Sequence, residues 1–176
     1  MGSAANDVEW LHATPYDLGW EKMISFKHDF PGKAALEAES KRHHNTLVHL
    51  IWDADDILKV AATWFNKDEE MANLMPLAED MSFTLSSAQL HHDRVYDGEK
   101  MIGVSSGRMF SPKNREMMSL GIVDQDYAVE GKVVEVLWGN PGTRQMCIKA
   151  RVMLTPYIRE GRNDNIDLET IPHPVF

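Results

Sequence analysis

The hydrophobic period of the chain changes once, and that change limits what it can fold into. Up to about residue 87 apolar residues recur at helical spacing or stand in short blocks; beyond Ala88 they alternate every second residue, as in strands with one face in a core and one in water. Asp97-Gly98-Glu99 divides residues 89–96 from 100–106, and Gly139-Asn140-Pro141-Gly142 divides 133–138 from 144–154. Asp-Gly between alternating runs signals a hairpin, because glycine tolerates the positive φ of a tight turn. In the last run Met146, Ile148, Ala150, Val152 and Leu154 share one face, with Gln145, Lys149 and Arg151 on the other. Residues 118–123 add a further strand, and 124–131 form a turn-rich connection. The expected fold class is α+β: a helical lead-in followed by five or six antiparallel strands in a barrel or sandwich.

The lead-in has its own punctuation. Thr14-Pro15-Tyr16-Asp17-Leu18-Gly19-Trp20 reads as a turn or surface loop, residues 23–27 as a short strand, and Asp29-Phe30-Pro31-Gly32 as its stop. Residues 33–42 are rich in Ala, Leu, Glu and Lys, with Glu37 four residues before Lys41, and predict a helix. Residues 46–52, apolar except for His49, predict a strand buried on both faces. Asp53 is a good N-cap, with Asp55 and Asp56 in the first turn, and Ile57, Leu58, Ala61, Trp64 and Phe65 predict a helical stripe facing a core. Residues 66–87 read as a loop with one short helical piece. The expected division is 1–13 as a tag remnant or frayed start, 14–87 as lead-in with helices, 88–157 as antiparallel barrel and 158–176 as an extended tail.

A chain of 176 residues, 43% hydrophobic, fits one domain with a real core. Eighteen Lys and Arg against 27 Asp and Glu give a net charge of −9, which repels phosphate backbones and anionic membrane surfaces. Neither nucleic acid nor membrane is an expected partner. No run approaches the roughly 18 apolar residues of a spanning helix, and Met1-Gly2-Ser3-Ala4-Ala5 lacks the features of a signal peptide. The single cysteine, Cys147, excludes an internal disulfide and a Cys-based zinc site, and fits a reducing cytoplasm.

Eight histidines invite a metal reading, but neighbours such as His43-His44 or His91-His92 point to opposite faces of a strand, and no H-x-x-x-H or H-E-x-x-H occurs. No metal ligand is assigned. The carboxylates around Asp53, Glu69 and Glu79 read as caps and a solvated face. Cys147 has no base beside it in sequence and reads as structural. Phosphate-cradle motifs are absent. Gly103-Val104-Ser105-Ser106-Gly107-Arg108 leads into Ser111-Pro112, which places Arg108 and Ser111 on a loop at one end of the barrel. There Arg108 can hold a carboxylate or phosphate, or pair with one of the chain's own acids.

Several blocks, in order, carry a resemblance. Tyr16-Asp17-Leu18-Gly19-Trp20, Phe26-Lys27-His28-Asp29-Phe30-Pro31-Gly32-Lys33-Ala34-Ala35-Leu36, Val104-Ser105-Ser106-Gly107-Arg108-Met109-Phe110-Ser111-Pro112, Leu120-Gly121-Ile122-Val123-Asp124, residues 131–139 and Pro156-Tyr157 resemble the second half of the glycine-cleavage T-protein family. These are tetrahydrofolate-dependent aminomethyltransferases and demethylases. Leu50-Ile51-Trp52-Asp53-Ala54-Asp55-Asp56-Ile57 is similar to the branch that demethylates methoxylated aromatic acids, the vanillate and syringate O-demethylases. The resemblance implies that the later strands are the family's C-terminal barrel and that 16–36 is the exit from its folate-binding core. It implies tetrahydrofolate as the one-carbon acceptor at N5, with acid assistance to the leaving atom.

The family's principal folate-binding and catalytic residues lie in an N-terminal portion that nothing here matches, so no catalytic residue is assigned. Arg108, Ser111 and Tyr16 are the candidates for facing the folate cleft. The implied partner is a folate-binding N-terminal half or chain, or a second copy through an exposed docking face, and the chain is not expected to turn over alone. Two alternatives stand beside this: a non-catalytic interaction subunit capping a separately encoded folate-binding chain, and an unrelated small barrel with a ligand in an internal pocket.

Overall fold

Strands β1 (Asn45–Trp52), β2 (His92–Asp97), β3 (Lys100–Ser111), β4 (Glu116–Asp124), β5 (Val133–Trp138) and β6 (Met146–Leu154) close into a barrel in the order β1, β4, β3, β2, β5, β6, every neighbour antiparallel. Helix α1 (Lys33–Glu39) precedes β1, and α2 (Ala54–Thr63) lies between β1 and β2. The computed structural model describes residues 1–77 and 91–158, together with Asp167 and Thr170. Of the stretch expected at 66–87 as a loop with one short helical piece, residues 78–87 lie outside the described residues, as do the start of the 89–96 strand and most of the 158–176 tail. Among the described residues no helix is long and apolar enough to cross a membrane.

The α+β architecture with a helical lead-in and an antiparallel barrel is thus the one expected. One boundary is not: β1 lies well before residue 88, yet it closes the barrel between β4 and β6. Its last three residues, Leu50, Ile51 and Trp52, are all buried, so this end is covered on both faces, as its unbroken apolar run implied. Both hairpins form where turn chemistry placed them, with Gly98 at φ 59° between β2 and β3, and Gly139 and Gly142 at positive φ between β5 and β6.

The barrel interior is filled by side chains rather than hollow. Val48, Leu50, Val95, Ile102, Val123, Val136, Trp138, Ile148 and Val152 are inaccessible or nearly so. Burying each such side chain contributes about 1.5–3 kcal/mol, which accounts for a closed sheet with its inner face dry and disfavours an internal ligand pocket. Helix α2 is capped by Asp53, whose carboxylate accepts from the Asp56 backbone N–H at 3.0 Å. Asp56 in turn accepts from Lys59 Nζ at 2.6 Å and from the Lys149 backbone N–H at 3.1 Å, tying the helix to β6. The stripe differs from expectation: Ile57, Val60 and Trp64 pack on the core, whereas Leu58 and Phe65 are 65% and 84% exposed. Those two lie one helical step round from the contact line, and a barrel offers α2 only a narrow seat.

Three further expectations change. The strand expected at 100–106 runs on to Ser111 through a register shift between Ser106 and Met109, with Gly107 at φ 63°. Such a bulge re-aims the following side chain, and Arg108 therefore belongs to β3 and not to a loop. Residues 23–27 form no strand: a short 3-10 turn at Glu21–Met23 precedes an extended Ile24. Residues 1–13, expected as a tag remnant or frayed start, are docked. Ala4 N–H donates to the His92 carbonyl at 3.0 Å and His92 N–H to the Met1 carbonyl at 2.9 Å. Ser3 and Ala4 are fully buried. Pairing of β2 with β5 covers only residues 94–96, and the N-terminal segment occupies the edge of His92 that β5 leaves open.

Candidate functional site

The end of the barrel formed by the C-terminus of β1 and the start of β4 holds a cationic and aromatic cluster. Arg108, 1% exposed, lies with its guanidinium 4.9 Å from the Trp138 ring centre and 5.7 Å from that of Trp52. The two indoles meet edge-on at 6.1 Å, and His91 stacks on Trp138 at 4.9 Å with an interplanar angle of 4°. Arg108 Nη1 donates to the Pro76 carbonyl at 2.6 Å and approaches Met117 Sδ at 3.5 Å. Trp138 Nε1 donates to the Asn73 carbonyl at 3.0 Å, Asn140 N–H to Asn73 Oδ1 at 3.2 Å, and Phe110 N–H to the Leu77 carbonyl at 2.7 Å. Residues 72–77 are thereby strapped across the barrel mouth, with Arg108 as the strut beneath them. These contacts set the Arg108 guanidinium against a backbone carbonyl, a sulfur and two ring faces.

Outside that strap lies an open, mostly apolar groove of about 670 Å³, bordered by Ile57, Leu58, Leu77, Phe110 and Val133, with Arg115, Lys149 and Arg151 at its rim. Glu116 shares the rim and is held by Tyr157, whose hydroxyl donates to Glu116 Oε2 at 2.6 Å. That contact, with some burial, pushes the Tyr157 hydroxyl above its usual pKa. Ser111 ends β3 beside this groove. Its carbonyl accepts from the Arg115 backbone N–H at 2.7 Å and its Oγ from the Asn114 N–H at 3.3 Å, so it closes the β3–β4 turn.

Tyr16 stands elsewhere. Its hydroxyl donates to the Leu36 carbonyl at 3.0 Å and its ring stacks on His44 at 4.8 Å. It borders a mixed pocket of about 580 Å³ with Lys22, Asn45, Gln125 and Pro156. Asn45 opens β1 opposite Asp124, whereas the Arg108 cluster gathers about Trp52 at the other end of that strand. Eight extended residues span about 23 Å. The structure therefore brings Arg108 and Ser111 to one end of the barrel and Tyr16 to the other. These three side chains do not assemble a folate cradle within the described residues, and no catalytic step is routed through them.

One cluster was not visible in the sequence. His43, Asp124 and Asp126 hold ligand-type atoms within 4.8 Å of one another. Both imidazole nitrogens are already engaged, Nε2 with Asp124 Oδ1 and Nδ1 with Gln125 Nε2, each at 2.9 Å, and Lys100 Nζ lies 3.7 Å from Asp124 Oδ2. Burial raises the Asp124 carboxyl, but hydrogen bonds from His43 and the Asp126 N–H, with Lys100 nearby, hold it below the usual value. A pattern of separated single residues carries no signal for this cluster; only the pairing of β1 with β4 creates it. Cys147 is exposed, and partial burial of its thiol together with the charge of Glu135 pushes its pKa up. A protonated thiol at neutral pH is no nucleophile.

No family model matches the chain. It is similar to the sesamin methylene transferase of Sinomonas sp. strain No.22, with 39% identity over 183 residues, covering 99% of this chain and 40% of that protein. It is also similar to the syringate O-demethylase of Sphingobium sp. strain SYK-6, with 32% identity over 171 residues, covering 91% of this chain and 36% of that protein. The chain thus spans about two fifths of the length of the curated relatives it matches. Because 99% of the chain aligns with the first, the docked N-terminal segment falls within the matched region, apart from at most a residue or two.

Proposed function

We propose that this chain is the barrel portion of a tetrahydrofolate-dependent one-carbon transferase of the glycine-cleavage T-protein family, acting on an aromatic oxygen. The observation that carries the reading is the pair of relatives aligned through nearly all of the chain, one named for moving a methylene from sesamin and the other for removing a methyl from an oxygen of syringate. The ordered blocks from Tyr16 to Tyr157 support the same family. Bound tetrahydrofolate would supply, at N5, the amine that accepts the carbon and gives up its own proton; the protein's part would be to align that amine with the carbon–oxygen bond and to offer a proton to the aromatic oxygen that leaves with the bonding pair. Positioning and acid assistance do most of the work.

The folate-binding portion is proposed to lie in the length that the relatives have and this chain does not span. Arg108 then acts as a strut of the barrel mouth and Ser111 as a turn closure, while Tyr16, on an open pocket, is the candidate that still faces outward toward that portion. The chain by itself is expected not to turn over. The test is to supply tetrahydrofolate with syringate, sesamin or glycine-derived aminomethyl donor to this chain alone, and to this chain mixed with the non-overlapping portion of the Sinomonas relative, reading one-carbon folates by mass spectrometry. Product from an aromatic ether in the mixture alone supports the proposal. Turnover by the chain alone overturns the placement of the folate site, and a folded complex active only on the aminomethyl donor overturns the substrate class.

A further inference from the structure

Two cations at the rim of the open groove, Arg115 and Lys149, form no ion pair among the described residues. Alone among the described non-glycine residues Arg115 takes a positive φ, 56°, at the end of the β3–β4 turn, where a side chain is strained and glycine or asparagine is the ordinary occupant. The turn uses only the backbone of this residue, whose N–H donates to the Ser111 carbonyl at 2.7 Å. Its side chain lines the groove with Lys149 and Arg151. The acids of the groove are already engaged. Glu116 accepts from the Tyr157 hydroxyl at 2.6 Å and lies 3.7 Å from Arg151, and Asp53 caps α2. Lys149 meets Asp56 through its backbone N–H at 3.1 Å, not through Nζ. Between these cations the groove presents apolar side chains, Leu58 of α2, Phe110 of β3 and Val133 of β5, at 65%, 36% and 56% exposure. In a chain of net charge −9, two uncompensated cations beside exposed apolar side chains are complementary to an anion with an apolar body.

We propose that this groove is a binding site for a small amphipathic anion, a carboxylate on an apolar body, with Leu58, Phe110 and Val133 covering the body and Arg115 and Lys149 holding the carboxylate. Its volume of about 670 Å³ falls within the roughly 300–1,000 Å³ of small-molecule sites. Two free cations suit one carboxylate rather than an extended acidic surface. The probes are octanoate and the uncharged octanol, added to the full chain, with calorimetry and amide chemical shifts as readouts. Octanoate binds about tenfold tighter than octanol, because two charge-assisted contacts are added to the same apolar burial. Amides of Leu58, Phe110 and Val133 shift on saturation. Arg115→Gly and Lys149→Gln each weaken octanoate about fivefold, the upper end for one exposed charge pair, and leave octanol binding unchanged. Arg115→Gly also leaves the melting temperature unchanged or raises it, since glycine adopts φ 56° without strain. No saturable octanoate binding, equal affinity for octanol, shifts confined to another face, or wild-type octanoate binding by either variant overturns the proposal. A chain that dimerises through Leu58 and Phe110 in sedimentation, and takes octanoate in neither state, overturns it in favour of a second copy as occupant. Neither tetrahydrofolate nor a one-carbon donor enters the test, so its outcome is separate from that of the proposed function.

Discussion

Inside the barrel, three strands are joined by a chain of side-chain hydrogen bonds whose removal has a calculable cost. Trp52 Nε1 on β1 donates to Ser119 Oγ on β4 at 2.9 Å, and Ser105 Oγ on β3 donates to the same oxygen at 2.7 Å. All three residues are buried. An indole N–H can only donate, so Ser119→Ala strands it together with the Ser105 hydroxyl. At about 1–3 kcal/mol for each buried group left unmade, Ser119→Ala is expected to cost about 2–6 kcal/mol. Ser105→Ala removes one donor and leaves Ser119 still accepting from Trp52, so about 1 kcal/mol is expected. In the double variant the Ser105 hydroxyl is no longer stranded, and the two costs fall short of additivity by on the order of 1 kcal/mol. At roughly 2–4 °C per kcal/mol for a chain of this size, the central substitution lowers the melting temperature by about 4–24 °C. Urea unfolding followed by far-ultraviolet circular dichroism reads all three variants. A Ser119→Ala cost no larger than that of Ser105→Ala, or strict additivity, refutes the shared-acceptor geometry.

Gly103 and Gly121 form a matched pair of tests. A Cβ on Gly103 meets the Ile122 carbonyl oxygen at 2.3 Å, whereas one on Gly121 meets the Leu50 side chain at 3.0 Å; Gly103→Ala is expected to cost about 3 kcal/mol or more and Gly121→Ala about 1 kcal/mol, both read by urea unfolding. The pKa values of His49 and His92 are lowered, chiefly by burial, with the N-terminal charge and His91 adding to the shift at His92. The unfolded chain therefore takes up protons first as the pH falls through about 6.5, and stability declines from there toward pH 5; His92→Gln flattens the melting temperature measured from pH 8 to pH 5. Asp7 is held below its usual value by the hydrogen bonds from Arg94, against some opposing burial. Its contribution is complete above about pH 4 and is lost as the pH falls further. Asp7→Asn costs about 1 kcal/mol and speeds exchange of the His92 amide, which the docked N-terminal segment protects.

The parts legible in the sequence were those whose cause lies within a few residues. Asp97-Gly98 turned β2 into β3 because the turn needs positive φ at Gly98, and Asp53 began α2 because its carboxylate reaches an N–H three residues on. The illegible parts depend on long-range pairing. Nothing local says that β1 must close the barrel, and only that closure puts His43 beside Asp124, 81 residues away. The candidate site shows the same division: Ser111 and Tyr16 stayed near the surface, where a polar residue in a turn-rich stretch belongs, while Arg108 did not.

Sequence alone therefore determined the strand period, both hairpins and the capped helix, since alternation and turn chemistry are properties of neighbouring residues. Tertiary structure decided which way each element faces. One αL glycine at 107 shifted the register of β3 and turned Arg108 from a loop cation into a strut packed against two tryptophans, because a one-residue slip moves a side chain to the opposite face of a sheet. It also decided that residues 23–27, strand-like by pattern, form no strand, with Met23 closing a 3-10 turn and Lys27 in a bend. A strand is completed by its neighbour's backbone, and no neighbour for this one exists among the described residues.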